Sequence, residues 1–276
     1  MTNAIEIKGV FKSFDGKRGR NLVLDDVSLS IAAGTFVTIV GASGCGKSTL
    51  LRIVAGLESA DGGIVLVGGK EIAGPGVDRA MVFQDYSLFP WLTVAQNVLF
   101  SRRLSANKYD NLALERDAEE KRAASLISLV GLSASQDLYP SQLSGGMRQR
   151  IAIARALMSK PSIILMDEPF GALDAQTREV MQDLVLDVVE QEGTTIMFVT
   201  HDVEEALYLG TQVVLMSPHP GRIDTIYDVP LPKKRDEQMR IDPQFLQLKR
   251  TVMERIRDTV GLSLDRSAVG SIEAGA

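Results

Sequence analysis

The segment Gly41-Ala42-Ser43-Gly44-Cys45-Gly46-Lys47-Ser48 constrains the chain more than any other stretch. Its spacing is that of a phosphate-binding loop, G-x-x-x-x-G-K-[ST]. The apolar run TFVTIV at 35–40 precedes it, and the helical segment TLLRIVAGL follows. Glycines at 41, 44 and 46 let the backbone curl so that successive N–H groups face phosphate oxygens. The helix start adds unpaired donors and a dipole worth roughly 0.3–1 kcal/mol per anionic group at an exposed site. The backbone of Gly41, Ser43, Gly44, Cys45, Gly46 and Thr49 would then cradle a nucleoside triphosphate such as ATP. Lys47 would reach its β- and γ-phosphates, and Ser48 would give a hydroxyl ligand to Mg²⁺. The alternative is a glycine-rich turn that matches by chance, expected about once in a hundred chains of this length. Cys45 is assigned no chemistry of its own: it has no histidine near it in sequence, and a small filler is the commoner role.

The elements around the loop place it in an α/β protein. The first 85 residues are β-rich: Leu22, Leu24, Val27, Leu29 and Ile31 nearly alternate, with a one-residue slip at an Asp25-Asp26 turn. Short strands are expected at 64–67 and 80–84. From about Thr93 to Met158 the spacing turns helical, with Thr93 as the N-cap of a segment running to Arg103. A charged helix is expected at about 112–130 and another from near Gly146. The last third alternates strand 163–166, helix 174–192, strand 195–200, helix 202–209 and strand 211–216, the pattern of a parallel sheet covered by helices. A final helix is expected at 243–261, then a disordered tail, GSIEAGA. The expected fold class is therefore a P-loop NTPase core with a parallel sheet, an antiparallel β subdomain, and a helical subdomain at about 90–158.

Composition excludes several roles. The 276 residues allow one large domain or two modest ones. At 45% hydrophobic and 24% charged, the chain reads as an ordinary soluble globular protein. A net charge of -5 argues against a nucleic-acid partner. No apolar stretch approaches the roughly 18 residues that span a bilayer. The start, MTNAIEIKGV, has neither a basic leader nor an apolar core, so no secretory signal is expected. One cysteine fits a reducing cytosol.

A second cluster selects among phosphate-loop enzymes. Ser162-Ile163-Ile164-Leu165-Met166-Asp167-Glu168-Pro169 is a short apolar strand ending in two carboxylates. Asp167 can hold Mg²⁺; Glu168, pointing to the opposite side of the strand direction, can polarise an attacking water. Upstream, Leu143-Ser144-Gly145-Gly146 opens a helix and forms another anion-binding N-terminus. Lys47 already serves the phosphates, so this second site suggests a partner's nucleotide.

With LSGG beside a phosphate loop, the chain resembles the nucleotide-binding subunits of ABC (ATP-binding cassette) transporters over about residues 4–230. The resemblance implies an ATPase domain over 1–232, followed by a C-terminal helical extension and tail over 233–276. It implies two copies packed head to tail, each ATP held between one copy's phosphate loop and the other's LSGG. By that likeness Ser144, Gly145 and Gly146 contact the γ-phosphate of the opposite copy, and Asp174 in ALD crosses the interface. Gln84 in VFQ contacts Mg²⁺ and the attacking water, and His201 in VTHD holds the γ-phosphate. Phe14 in KSF stacks on adenine, although the insertion GKRGR after it leaves a core role open. By itself, a histidine after an apolar strand is more often structural; the place of His201 after Glu168 and TTIMFVT favours the switch role. His219, in SPHPGR, is expected only to be solvated.

Two classes of work remain open for such an ATPase: a transporter motor, or a soluble ABC ATPase of translation or DNA repair. One phosphate loop, one LSGG and no long insertion favour the motor. The segment 86–94, YSLFPWLTV, either packs the helical part or forms an apolar docking groove for a membrane subunit. THDVEEAL resembles importers. FPWLTV, SPHPGRI and RIDPQFLQLKRTVMERI resemble the nitrate, sulfonate and taurine group, with other small organic solutes as the alternative. The resemblance implies membrane permease subunits as partners, a solute-binding protein acting indirectly, and a peripheral place on the cytoplasmic face of the cell membrane. The run ERDAEEKR at 115–122 is read as a solvated helix face.

Overall fold

The computed structural model describes residues 3–16, 19–100, 112–232 and 235–261. Two long antiparallel strands come first, β1 (Asn3–Gly16) and β2 (Gly19–Ala32). The slip expected as a turn at Asp25-Asp26 is instead a bulge within β2. Leu24 pairs with Lys12 and Val27 with Val10, and the extra residue is absorbed with Asp26 at φ 50°. The bulge keeps Leu24, Val27, Leu29 and Ile31 buried on one side, while Leu22 stays exposed near the hairpin end.

The loop sits between β3 (Phe36–Gly41) and α1 (Lys47–Ala55). Three further strands follow: β4 (Gly62–Val67), β5 (Lys70–Glu71) and β6 (Arg79–Val82). The helical layer contains α2 (Val94–Val98), α3 (Leu112–Leu129) and α4 (Gly145–Met158). Thr93 does cap α2: its Oγ1 accepts the Gln96 N–H at 3.3 Å, and the Gln96 side chain accepts the Thr93 N–H at 3.1 Å. The expected continuation to Arg103 and the tail GSIEAGA lie outside the described residues. The alternation then runs β7 (Ile163–Asp167), α5 (Ala175–Glu192), β8 (Thr195–Val199), α6 (Val203–Leu209) and β9 (Gln212–Ser217). An unanticipated strand, β10 (Arg222–Asp228), precedes the final helix α7 (Pro243–Val260).

One sheet has the order β2-β1-β4-β5 and is antiparallel; the other has the order β10-β9-β3-β8-β7-β6. In the second, β9, β3, β8, β7 and β6 run parallel and β10 is an antiparallel edge. Covered on both faces, β3, β7 and β8 are buried along their whole length and mostly apolar rather than alternating. Val37, Ile39, Leu165 and Met197 face a core shared with α1 and the antiparallel sheet. Phe36, Val40, Met166 and Phe198 face a second core packed by α4, α5 and α6. Each such side chain contributes roughly 1.5–3 kcal/mol on burial. The C-terminal helix joins this second core through Phe245 and Val252, both wholly buried. Arg255 of α7 donates two hydrogen bonds to Asp224 of β10, at 2.7 and 2.8 Å.

Candidate nucleotide-binding and hydrolytic cleft

Because β3, β7 and β8 are adjacent and parallel, their C-terminal ends open on one side, where the crevice of an open α/β sheet lies. Gly41 ends β3, Asp167 ends β7, and Thr200 and His201 follow β8. A cleft of about 470 Å³ forms there, lined by Ser43, Gly44, Gly46, Lys47, Ser48 and Thr49 together with Gln84, Glu168, His201 and Val23.

The loop needs its glycines. Gly44 and Gly46 sit at φ 78° and 91°, a region that side chains avoid. A Cβ on Gly46 would lie 2.6 Å from Leu24 Cδ2, and one on Gly41 would run into the Met216 carbonyl. Gly46 is also the N-cap of α1 and supplies no side-chain acceptor, so the first N–H groups of the helix are left for a ligand. Lys47 is 7% exposed, and its ammonium donates to the carbonyls of Gly41 at 2.8 Å and Ala42 at 3.0 Å. Cys45 is wholly buried, and burial pushes its thiol pKa up, which keeps it a poor nucleophile.

Ser48 donates to Asp167 Oδ1 at 2.8 Å. Burial pushes the Asp167 carboxyl upward and the Ser48 hydroxyl opposes that shift. Glu168 reaches the cleft by a different route from the one expected. Simple strand alternation does not aim it: the chain leaves the extended form there, at φ 46°, and its N–H donates to the Val199 carbonyl at 2.9 Å. A left-handed backbone at a non-glycine residue costs roughly 1–2 kcal/mol and is a mark of functional sites. Glu168 Oε2 lies 3.2 Å from His201 Nδ1, and the imidazole is otherwise exposed.

Other expected site residues stand apart from this cleft. Ser144 is the exposed N-cap of α4, its hydroxyl accepting the Met147 N–H at 3.2 Å. Gly145 and Gly146 pack closely: a Cβ would lie 3.2 Å from Tyr86 Oη in the first and 3.3 Å from Leu173 Cδ2 in the second. Asp174 caps α5, accepting the Thr177 N–H and hydroxyl, which hold its carboxyl below the usual range. Phe14 lies near the end of β1, 41% exposed, with the Lys12 ammonium 5.0 Å from its ring centroid. None of these five lines the cleft.

Two participants escaped the sequence reading. Val23 lines the cleft from β2. Gly221 backs the loop, where any Cβ would run into the Cys45 carbonyl, and its N–H donates to Val23 O at 2.9 Å. Neither contact leaves a local signature, since both join segments remote in sequence. The segment 86–94 divides between its two readings. Leu92 and Val94 are buried in the helical layer, whereas Trp91 is 68% exposed.

The family model described as ABC transporter matches residues 24–171. The chain is 41% identical over 262 residues to the aliphatic sulfonates import ATP-binding protein SsuB of Bacillus subtilis, covering 95% of this chain and 97% of that one. It is 42% identical over 262 residues to the nitrate import ATP-binding protein NrtD of Synechocystis sp., covering 92% of this chain and 95% of the other. A solved ATP-binding cassette, dimeric in a post-hydrolysis state bound to ADP and Pi, superposes with a TM-score of 0.73 at 32% identity. That likeness covers 83% of this chain and all of the other.

Proposed function

The chain belongs to the ABC transporter family and is an ATP-hydrolysing cassette, and from that premise we propose that it is the motor subunit of an importer for a small anion of the nitrate, sulfonate or taurine kind. The observation that carries the mechanism is the division of the site. Lys47, Ser48, Gln84, Glu168 and His201 line one cleft, whereas Ser144, Gly145 and Gly146 are not among the residues that line it. The second half of the site then comes from a second copy, packed head to tail, as the dimeric state of the solved relative supports.

Loop N–H groups and Lys47 bind the phosphates of ATP. The oxygens of Ser48, Asp167 and Gln84 suit a hard cation. These three residues would hold Mg²⁺, a cation commonly bound by one or two carboxylates together with substrate phosphates. When bound, Mg²⁺ supplies charge neutralisation at those phosphates. Glu168 accepts the proton of the attacking water, and His201, steadied by Glu168, holds the terminal phosphate. Ser144, Gly145 and Gly146 contact the γ-phosphate held by the other copy, Asp174 meets the interface, and the exposed Phe14 ring stacks on adenine. Most of the rate comes from positioning and charge stabilisation.

Closure of the two copies pulls on membrane permease subunits seated over 86–94, where Trp91 is exposed. A solute-binding protein acts upstream of them, and the cassette sits peripherally on the cytoplasmic face. The ATPase domain occupies 1–232, with the extension over 233–276. Among the described residues no helix is long and apolar enough to cross a membrane. The relatives' roles in sulfonate and nitrate import support the solute class. Deleting the gene should abolish growth on nitrate as sole nitrogen source or on an aliphatic sulfonate or taurine as sole sulfur source. Wild type should restore growth and Glu168→Gln should not; undiminished growth of the deletion strain on all three would overturn the solute assignment.

A further inference from the structure

The two glutamates that follow the cleft histidine face opposite ways. Glu205 turns inward and is 7% exposed; Glu204 lies nearer the surface and meets the C-terminal extension. Around His201 the backbone is held on both sides. The Thr200 N–H donates to the Ile39 carbonyl of β3 at 3.2 Å. Thr200 Oγ1 accepts the Asp202 N–H at 3.0 Å, and its own proton goes to Glu205 Oε2. Asp202 caps α6, accepting the N–H groups of Glu204 at 2.8 Å and Glu205 at 3.2 Å. His201 is thus bracketed by residues tied to Glu205, while its own side chain reaches Glu168.

The polarity of this network is forced from the outside. Arg240, in the short 3-10 turn Glu237–Ile241 of the extension, can only donate, and it gives Nη2–H to Gln182 Oε1 at 2.8 Å. That fixes the Gln182 amide, so its NH₂ faces Glu205 Oε1 at 3.1 Å. Residue 205 therefore meets two donors, the Gln182 amide and the Thr200 hydroxyl, and needs two acceptors. A carboxylate accepts both; a carboxamide there keeps both contacts only if the Thr200 hydroxyl turns to accept, giving up the bond it now donates. Burial raises the Glu205 carboxyl pKa, and the hydrogen bonds from Thr200 and Gln182 oppose that shift. Arg240 also donates to Glu204 at 3.1 Å and lies 4.1 Å from the Tyr208 ring centroid, and Lys249 of α7 pairs with Glu204.

We propose that Glu205 is a positioning residue for His201 and that the C-terminal extension, through Arg240 and Gln182, sets its orientation. The inference rests on the hydrolytic role given to His201 above. The extension is thereby part of the catalytic device: hydrogen bonds from Arg240 through Gln182 and from Thr200 meet on Glu205, linking the extension to the turn that carries the histidine.

The test is steady-state ATP hydrolysis by the full chain, with ATP affinity and melting temperature measured alongside. Glu205→Gln should lower kcat about tenfold to a hundredfold while the Kd for ATP moves less than about twofold. Adding His201→Ala to it should cause almost no further loss, because both changes remove one function. Adding Gln182→Glu to Glu205→Gln restores every donor–acceptor pair and should bring kcat back to within about threefold of wild type. A kcat unchanged by Glu205→Gln, or losses that multiply with those of His201→Ala, would overturn the proposal. Should Glu205→Gln not fold, Arg240→Met asks the same question from the partly exposed extension. Its kcat should fall about threefold to tenfold, again without adding to His201→Ala; wild-type kcat would overturn the link. His201→Ala alone separates the two readings. If it loses turnover while Glu205→Gln and Arg240→Met do not, only the positioning inference fails. If it keeps wild-type turnover, the role of His201 fails and the inference with it.

Discussion

At the start of α1, Gly44 and Gly46 adopt left-handed backbone, and Gly46 is jammed against Leu24. At the start of α4, neither Gly145 nor Gly146 takes a positive φ, and each fits beneath a side chain, Tyr86 or Leu173. The first pair of glycines gives the backbone a shape; the second gives clearance. A curled loop with a buried lysine forms a cup within one chain. The serine-capped start of α4 is partly exposed and outside the cleft, suited to act when a partner is pressed against it. Two glycine-rich helix starts of similar composition thus carry different demands, and four experiments test whether that difference holds.

The largest effect is expected on the cup side. Glu168→Gln should lower turnover about 10²–10⁴-fold, the usual worth of a general base, while ATP still binds and a dimer accumulates in light scattering. Turnover near wild type would remove Glu168 as the base. At the start of α4, Ser144→Arg should leave ATP binding by a single copy intact yet reduce hydrolysis at least about tenfold by spoiling the contact. Normal ATPase activity in that variant would dissolve the distinction. Urea unfolding compares the glycines directly. Gly46→Ala should lose about 2–4 kcal/mol through strain and overlap, and Gly145→Ala less than about 1 kcal/mol because Tyr86 can shift. Equal losses would mean that both helix starts depend on backbone shape. The smallest effect concerns Asp174, whose carboxyl Thr177 holds below the usual range. Its stabilisation is present above the unfolded pKa and is lost as pH falls through the folded one. Melting temperatures of wild type and Asp174→Asn should therefore converge slightly in acid; parallel curves would show that the cap needs no charge.

Legibility in the sequence followed the range of the interactions. The apolar runs of β3, β7 and β8 were readable because strands buried on both faces are hydrophobic throughout. The Thr93 cap was readable because its partner Gln96 is three residues away. β10 was missed because RIDTIYD is a half-exposed edge strand without a clear alternation. The bulge in β2 looked like a turn, since one unpaired residue and a reversal disturb the pattern alike. Within the cleft, Lys47, Ser48 and Asp167 were legible as motif residues. The left-handed backbone of Glu168, the close approach of Gly221 and the Glu205 network depend on contacts between segments far apart in the chain.

The sealed position of Cys45 has a practical consequence. It is the single thiol of the chain, wholly buried at the centre of the phosphate loop beneath the close approach of Gly221. A thiol reagent can reach it only when the loop opens, so its alkylation rate measures the free energy of that opening. The native protein therefore carries a chemical clock for its own nucleotide pocket, readable by mass spectrometry without an added label. Any ligand that holds the loop closed should slow that clock.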